Sequence, residues 1–563
     1  MSDRTKLRNP PAQKFELPTP AVFALIFTVI WLLHITLLRL PYFWDEAGYY
    51  IPAARDLWLK GQLVPSSTVS SGHPPLVMAW LAFWWKFSGY TPAVTRTAML
   101  LVAAFGLTGV FRLARQVANT SVAVAALALT AIYPVWFAQS SLAHLDVAAA
   151  AFTFWGLASY LRDQRWRAIA FFALAALAKE TAIVAPLTLF VYERIAPLAV
   201  QSLRSRRTGT NVAFEHSVAL PFPRPGWARS VALLASAVPL TAWFLYHHAH
   251  TGVFFGNPEF FRYNVQATTN PLRILLALVQ RFWHAFGYLN LFVLVAAAGM
   301  AMLYKPLGAA EGEQRKRIAI SVQAIFATLI LAYVIMLSLV GGAVIARYML
   351  PVVPLVIIVC VSTLRRRISW WPWACAVVGL TFVLALFVNP PYRISPEDNL
   401  TYSDYVRLHH AAAQIIEKKS PNARILTAWP ASDELTRPWL GYVSKPVPVV
   451  RIDNFSLPQI EPAARARDQY QFAYLFSTKL EPANPMFGAP FWIRLQERFF
   501  DYHRDLPPQM AANVLGGRIV YQAERGGEWV AIVQIEQVQN AQNRQSGTRT
   551  QLICIRRSAP CPS

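Results

Sequence analysis

The feature that most constrains this chain is a series of apolar runs near the roughly 17–25 residues an α-helix needs to cross a bilayer. They lie near 20–40, 96–114, 121–140, 146–161, 167–179, 181–196, 230–247, 288–304, 318–340, 348–364 and 373–389. Inside hydrocarbon, backbone polar groups must be satisfied within the segment, so runs of this kind fold as helices. Composition agrees: 55% of the 563 residues are hydrophobic and only 14% are charged. That is too apolar for an ordinary soluble protein. The expected fold class is a polytopic α-helical membrane protein of about eleven transmembrane helices.

Net charge is +23, and it is unevenly spread. Before residue 390 there are 32 Lys and Arg against 13 Asp and Glu; after it, 20 against 16. A basic chain raises the question of nucleic acid, but here the cations fall in alternate loops. Arg112 and Arg115, then Arg162, Arg165 and Arg167, then Arg204 to Arg229, then Lys305 to Arg317, then Arg365 to Arg367 form one set. This is the positive-inside pattern, so no nucleic-acid partner is expected. It puts the N-terminus in the cytoplasm and, with an odd number of spans, the C-terminus outside. No small-residue cleavage site follows Leu40, so the first helix reads as retained. Cys360 and Cys375 lie in apolar runs. Cys554 and Cys561 would be able to pair if the tail is in an oxidising envelope.

Three segments fall on the outer side. The first, 41–95, holds an amphipathic stretch at 45–60 and a Trp-rich one at 74–88, too short for a span and better suited to the interface. The second, 248–287, contains the aromatic FFGNPEFFRYN, in which Arg262 is a candidate to orient substrate. The third begins near 390, where composition changes. ARILTAWP and FAYLFST read as buried strands, RIVYQAE and WVAIVQIE as a hairpin around Gly526-Gly527, and 401–419 as a helix. The expected organisation is a transmembrane domain over 1–389, a small extracytoplasmic α/β domain over 390–536, and a disordered tail over 537–563.

Ionisable residues recur at the outer ends of the expected helices. LPYFWDEAGYY places Asp45 and Glu46 just beyond the first span; SGHPPLV places His73 in the same loop. AHLDVAAAAF adds Asp146, LAKETA adds Lys179 and Glu180, and ARYMLP adds Arg347 and Tyr348. Each has a structural reading: acids cap helix N-termini, a histidine before two prolines fixes a turn, and long cations snorkel. What favours function is coincidence, since charge at a bilayer boundary is costly unless it is hydrated, paired or used. Trp429, Asp433 and Glu434 in AWPASDEL are candidates to contact glycan, or simply start a helix.

Carboxylates and cations facing outward suit a reaction whose donor arrives already activated and embedded in lipid, as a polyprenyl-phosphate sugar does. Its phosphate leaving group needs neutralising by cations; the attacking hydroxyl needs one base. On FWDEAGYYIPAARDL, GHPPL, AHLDVAAAAFTFWGL, LAKETAIVAPL and ARYMLPVVPL, in that order over roughly 20–390, the chain resembles the GT-C superfamily of membrane glycosyltransferases. It is most similar to the bacterial protein O-mannosyltransferase and aminoarabinose transferase-like group (glycosyltransferase family 39-like).

The resemblance implies inverting transfer of a sugar, a hexose or pentose, to an acceptor hydroxyl at the outer face of a bacterial inner membrane. Asp45 matches the catalytic acidic position of the first loop, Glu46 its neighbour, and Asp146 the second acidic position. His73 stands where aminoarabinose transferases carry Lys, a position associated with the lipid phosphate. Because histidine's ordinary pKa is about 6.5, this departure passes the fixed charge to Lys179 or Arg347, with Tyr348 beside them. Glu180 would orient substrate.

The acceptor stays open between protein, lipid such as lipopolysaccharide, and polysaccharide. Membrane lipids are the other expected partners. No cofactor is called for, although Asp45 and Asp146 would be able to hold a divalent metal. Two alternatives are a transporter or flippase for a lipid-linked sugar, which would line a path at the bilayer midplane, and a non-catalytic envelope sensor.

Overall fold

A computed structural model describes residues 18–206, 226–254, 256, 270–308, 315, 317–340, 343–482, 485–500 and 502–536. The tail expected to be disordered, with Cys554 and Cys561, lies outside them. Among the described residues, four helices are long and apolar enough to cross a membrane: Pro92–Val117, Trp227–Thr251, Pro271–Ala301 and Ile320–Val340. Thr19–Leu33, Thr120–Ile132 and Trp371–Phe387 are shorter apolar helices. The chain is an integral membrane protein, with Leu331, Ile335, Leu339, Leu380 and Leu384 turned outward as lipid-facing residues are. Small side chains bring the inner helices close. Asp146–Tyr160 packs its buried Ala148 to Ala151 between Pro92–Val117 and Arg165–Ala178.

Local chemistry decides where helices stop. The expected run 121–140 is broken after Ile132, because Pro134 has no N–H with which to continue it. The first helix ends at Leu33, giving way to turns before Leu40. A larger difference lies at 271–286. Expected as outer loop, it is a helix, started by Asn270, whose side chain accepts from the N–H groups of Leu272 and Arg273. It joins Leu291–Ala301 through a break at Leu289 (φ +46°) and Asn290 (φ +69°).

The first outer loop forms one wide turn, Glu46–Tyr50, in which the Ile51 N–H bonds the Glu46 carbonyl, and then the helices Ile51–Lys60 and Leu76–Ser88. Trp44, just before it, is held at φ +42°, a conformation that costs a bulky residue energy and is maintained only by its surroundings.

The C-terminal region carries a five-stranded mixed sheet: β1 (Ile425–Ala428), β2 (Val449–Ile452), β3 (Phe472–Phe476), β4 (Gly517–Arg525) and β5 (Glu528–Ile535), in the order β2-β1-β3-β5-β4. β1 runs parallel to β2 and β3; β5 runs antiparallel to β3 and β4. The β4–β5 turn uses Gly526 and Gly527 at φ +59° and +86°, as a two-residue hairpin requires. The helix Thr401–Lys419 covers β5.

This sheet docks on the first outer loop. The Tyr442 hydroxyl donates to the Tyr42 carbonyl (3.0 Å), Tyr90 to the Trp439 carbonyl (2.8 Å), and Arg437 to the Ser67 carbonyl (3.1 Å). The Trp429 indole lies against Gly48, where an added Cβ would sit 2.7 Å from its Cζ2. Gly48→Ala is therefore expected to cost about 1–3 kcal/mol through overpacking. Thermal unfolding in detergent measures this; unchanged stability would contradict the seat described for Trp429.

Candidate active site

Arg347 organises the site. It lies in the turn Ala346–Met349, ahead of the helix Val353–Arg367, and is 2% exposed. Its Nη2 donates to Asp45 Oδ2 (2.5 Å), its Nη1 lies 2.7 Å from Glu397 Oε1, and its Nε lies 3.3 Å from Asp146 Oδ2. Lys179 Nζ donates to the other oxygen of Asp146 (2.6 Å). Asp45 comes from the first outer loop, Asp146 from the start of one inner helix, Lys179 from the end of the next, and Glu397 from the turn Pro396–Asp398 after the last apolar helix.

Burial of these groups is tolerable only because they pair. Three carboxyls share two cations, and Glu397 is enclosed among them. Burial raises it to about 8, against the pull of Arg347 and with the push of Asp45. Burial likewise raises Asp398 to about 6, although the Tyr288 hydroxyl donates to it (2.6 Å).

Tyr348 is the second centre. Lys179 Nζ lies 3.5 Å from its ring centroid, the Arg281 guanidinium 5.2 Å and the Arg347 guanidinium 5.9 Å. Arg281 is fully buried and donates only to backbone carbonyls, those of Ile345 (2.8 Å) and Ala343 (2.7 Å). Among the described residues it has no carboxylate partner.

His73 and Glu180 pair with each other, Nδ1 to Oε2 at 2.8 Å. Burial pushes Glu180 upward, but His73 and Lys179 outweigh it and bring the carboxyl down to about 2. The Tyr50 ring stands 6.0 Å from the rings of both His73 and His144, linking the pair to the Arg347 cluster. His144 Nδ1 lies 3.0 Å from Arg347 Nη1 and 2.8 Å from Gln139 Oε1.

The adjacent carboxylates of the opening turn point different ways. Asp45 lies in the wall of a cavity of about 210 Å³ together with Phe43, Trp44, Arg347, Glu397 and Lys479. Glu46 is fully buried instead. It accepts from the backbone N–H groups of Phe43 (2.8 Å) and Ala143 (2.6 Å) and pairs with the equally buried Arg96 (3.2 Å). Its contacts give it a positioning role for the turn that carries Asp45.

Trp429 packs on Trp44, Tyr49 and Gly48; Asp433 pairs with Arg437, and Glu434 with the buried His409 (2.7 Å). None of the three lines the cavity. Arg262 lies outside the described residues. Among those described, no group of three or more His, Cys, Asp or Glu is placed to hold a metal ion.

Sequence reasoning missed Glu397, Arg281, His144 and Arg96. Glu397 sits in SPEDN, where Ser395 and Asp398 form a reciprocal cap, so the acids read as a helix start. Arg281 did carry a signal. Arg273, Ala277, Arg281 and His284 fall on one face, which is buried, while Leu275, Val279 and Phe282 face out. Charges inside and apolar residues outside mark a lipid-facing helix lining a polar interior.

Residues 72–217 match the family model described as dolichyl-phosphate-mannose-protein mannosyltransferase. His73, Asp146, Lys179 and Glu180 all lie in this segment. Over this segment the chain is similar to that glycosyltransferase family. The fold of the chain is similar to that of ArnT from Cupriavidus metallidurans in the apo state, at 15% identity and a TM-score of 0.51, covering 91% of this chain and 97% of that one. ArnT bound to undecaprenyl phosphate matches at 15% identity, the same coverage and a TM-score of 0.49. The Archaeoglobus fulgidus oligosaccharyltransferase in complex with Zn and sulfate matches at 14% identity, 81% and 68% coverage and 0.41. No curated protein sequence matches. The ArnT likeness is one of fold: apolar helices with a small mixed sheet behind them.

Two outcomes test the electrostatics. Arg96→Gln leaves Glu46 buried and unpaired, so denaturant unfolding should show a loss of about 3–5 kcal/mol; a loss within error of zero would contradict the clamp. A carboxyl whose pKa is raised by folding contributes stability below its ordinary value and loses it as pH rises through about 8. The wild-type melting temperature should therefore fall as pH rises from about 4.5 to about 8, and Glu397→Gln should flatten that fall; parallel curves would contradict the assignment.

Proposed function

We propose that this protein moves a glycosyl group from a polyprenyl-phosphate-linked donor to an acceptor hydroxyl at the outer face of the membrane, with inversion at the anomeric carbon. The observation that carries this reading is the position of Asp45. It is a carboxylate at the wall of a cavity, held by Arg347 (2.5 Å), with three cations around the neighbouring Tyr348 ring. The family description, which names a dolichyl-phosphate sugar donor, supports the donor class.

In the reaction, the bond between the anomeric carbon and the donor phosphate oxygen breaks. The acceptor oxygen forms the new bond from the opposite face. Its proton passes to Asp45, and the polyprenyl phosphate leaves with its charge held by cations, so no acid is needed for departure. Lys179 and Arg347 already have carboxylate partners, which makes them scaffold for Asp45 and Asp146. Arg281, which has no carboxylate in direct contact among the described residues, is the group that balances the phosphate. Glu180 holds the His73 ring beside Tyr50. Thr478 and Lys479, which follow β3, line the cavity with Asp45.

Asp45→Asn keeps the shape of the site and removes the base. Transfer from a labelled polyprenyl-phosphate sugar should fall by about 10²–10⁴ with folding intact. Turnover within a few fold of wild type would remove Asp45 from this role.

A further inference from the structure

A second, smaller cavity lies at the opposite end of the bundle. The helix Val353–Arg367 begins beside Arg347 and runs for 15 residues, about 22 Å, before ending in Arg365, Arg366 and Arg367. There it meets Met302 and the chain entering Ile320–Val340, around a cavity of about 130 Å³ lined by Met302, Arg317, Gln323, Ser362, Arg366 and Arg367.

The polar groups around it are unevenly used. Arg367 donates to the carbonyls of Met302 (3.0 Å) and Tyr304, and Gln323 to that of Ile318 (2.6 Å). The side chains of Arg317 and Arg366 make no hydrogen bond or ion pair with another described residue. No described acid lines the cavity. Three guanidinium groups converging on a recess repel one another, and the arrangement favours an anion that offsets them.

The depth of the site narrows the anion. Arg317 lies three residues before an apolar membrane-length helix; Tyr304, whose carbonyl accepts from Arg367, and Trp370 and Trp373, which follow Arg367 in the chain, are exposed. Aromatic side chains of this kind mark the level of lipid headgroups. Guanidinium forks match phosphate oxygens, and Met302 and Val359 supply an apolar wall on which the start of an acyl chain would rest.

We propose that this recess binds the phosphate of an anionic phospholipid from the leaflet opposite the Asp45 face. The proposal is independent of the transfer reaction. Basic pockets between membrane helices at this depth hold acidic headgroups through the same combination of charge and donors.

Native mass spectrometry of the full-length protein, released from nanodiscs of phosphatidylcholine with and without phosphatidylglycerol, tests it. Wild type should retain phosphatidylglycerol in preference to phosphatidylcholine. R317Q/R366Q should lower that retention about tenfold or more, while Arg167→Gln, at a basic turn elsewhere, should leave it unchanged. Equal retention by wild type and the double variant, or an equal loss in Arg167→Gln, overturns the proposal. If the double variant does not fold, Arg317→Gln alone, at an exposed residue, should reduce retention; no change overturns it. Thermal midpoints separate the two sources of phosphate. Phosphatidylglycerol vesicles should raise the wild-type midpoint and inorganic phosphate should not; an equal rise with inorganic phosphate overturns the lipid assignment.

Discussion

Burying the Arg347 guanidinium obliges the rest of the chain to bring carboxyls to it. Removing one charge from water costs several kcal/mol unless its partners are close and well oriented. The three that answer, Asp45, Asp146 and Glu397, are separated by about 100 residues or more in sequence. Meeting that demand draws together the first outer loop, the inner helices and the entry to the C-terminal region. It also fixes how far Asp45 projects, because one of its oxygens is committed to Arg347 while its side chain remains 22% exposed. Asp45 is thus held by the same cation that gathers Asp146 and Glu397.

The supports behind Asp45 divide the work between its neighbours. Glu46 locks the turn from beneath through Arg96 and two backbone N–H groups. Trp44 takes up a left-handed conformation that aims the turn, and Trp429 presses on it from the sheet side, where only a glycine at 48 leaves room. This explains why a soluble-type mixed sheet is joined to a membrane enzyme. It braces the loop that carries Asp45, and Lys479, just after β3, lines the cavity beside it.

Much of this was legible in the sequence, and the gaps have physical causes. Apolar runs of membrane length and the alternation of basic loops declare helices, and ionisable residues at helix ends declare Asp45, His73, Asp146, Lys179, Glu180 and Arg347. That these meet depends on three-dimensional packing. The different directions of Asp45 and Glu46 are set by the φ of Trp44 and by Arg96, neither of which a local pattern reveals. β2 was not expected because KPVPVVRI carries two prolines; it lies at the sheet edge, where proline is tolerated. Arg281 was hidden because 271–286 followed an aromatic loop, although its inward charges and outward leucines signalled a helix in lipid. Glu397 resembles a simple helix start, and it is one.

The central claim is a charge balance: Arg347 and Lys179 are neutralised within the protein, and Arg281 supplies the charge that meets the donor phosphate. The most direct measurement is the phosphorus–nitrogen distance in a complex of ¹⁵N-arginine-labelled protein with a polyprenyl phosphate, by solid-state NMR dephasing. The account predicts a contact of about 4 Å, the separation of a charge-assisted guanidinium–phosphate hydrogen bond, that disappears in Arg281→Gln. A bound phosphate with no arginine contact, or one whose contact survives that substitution, would contradict it.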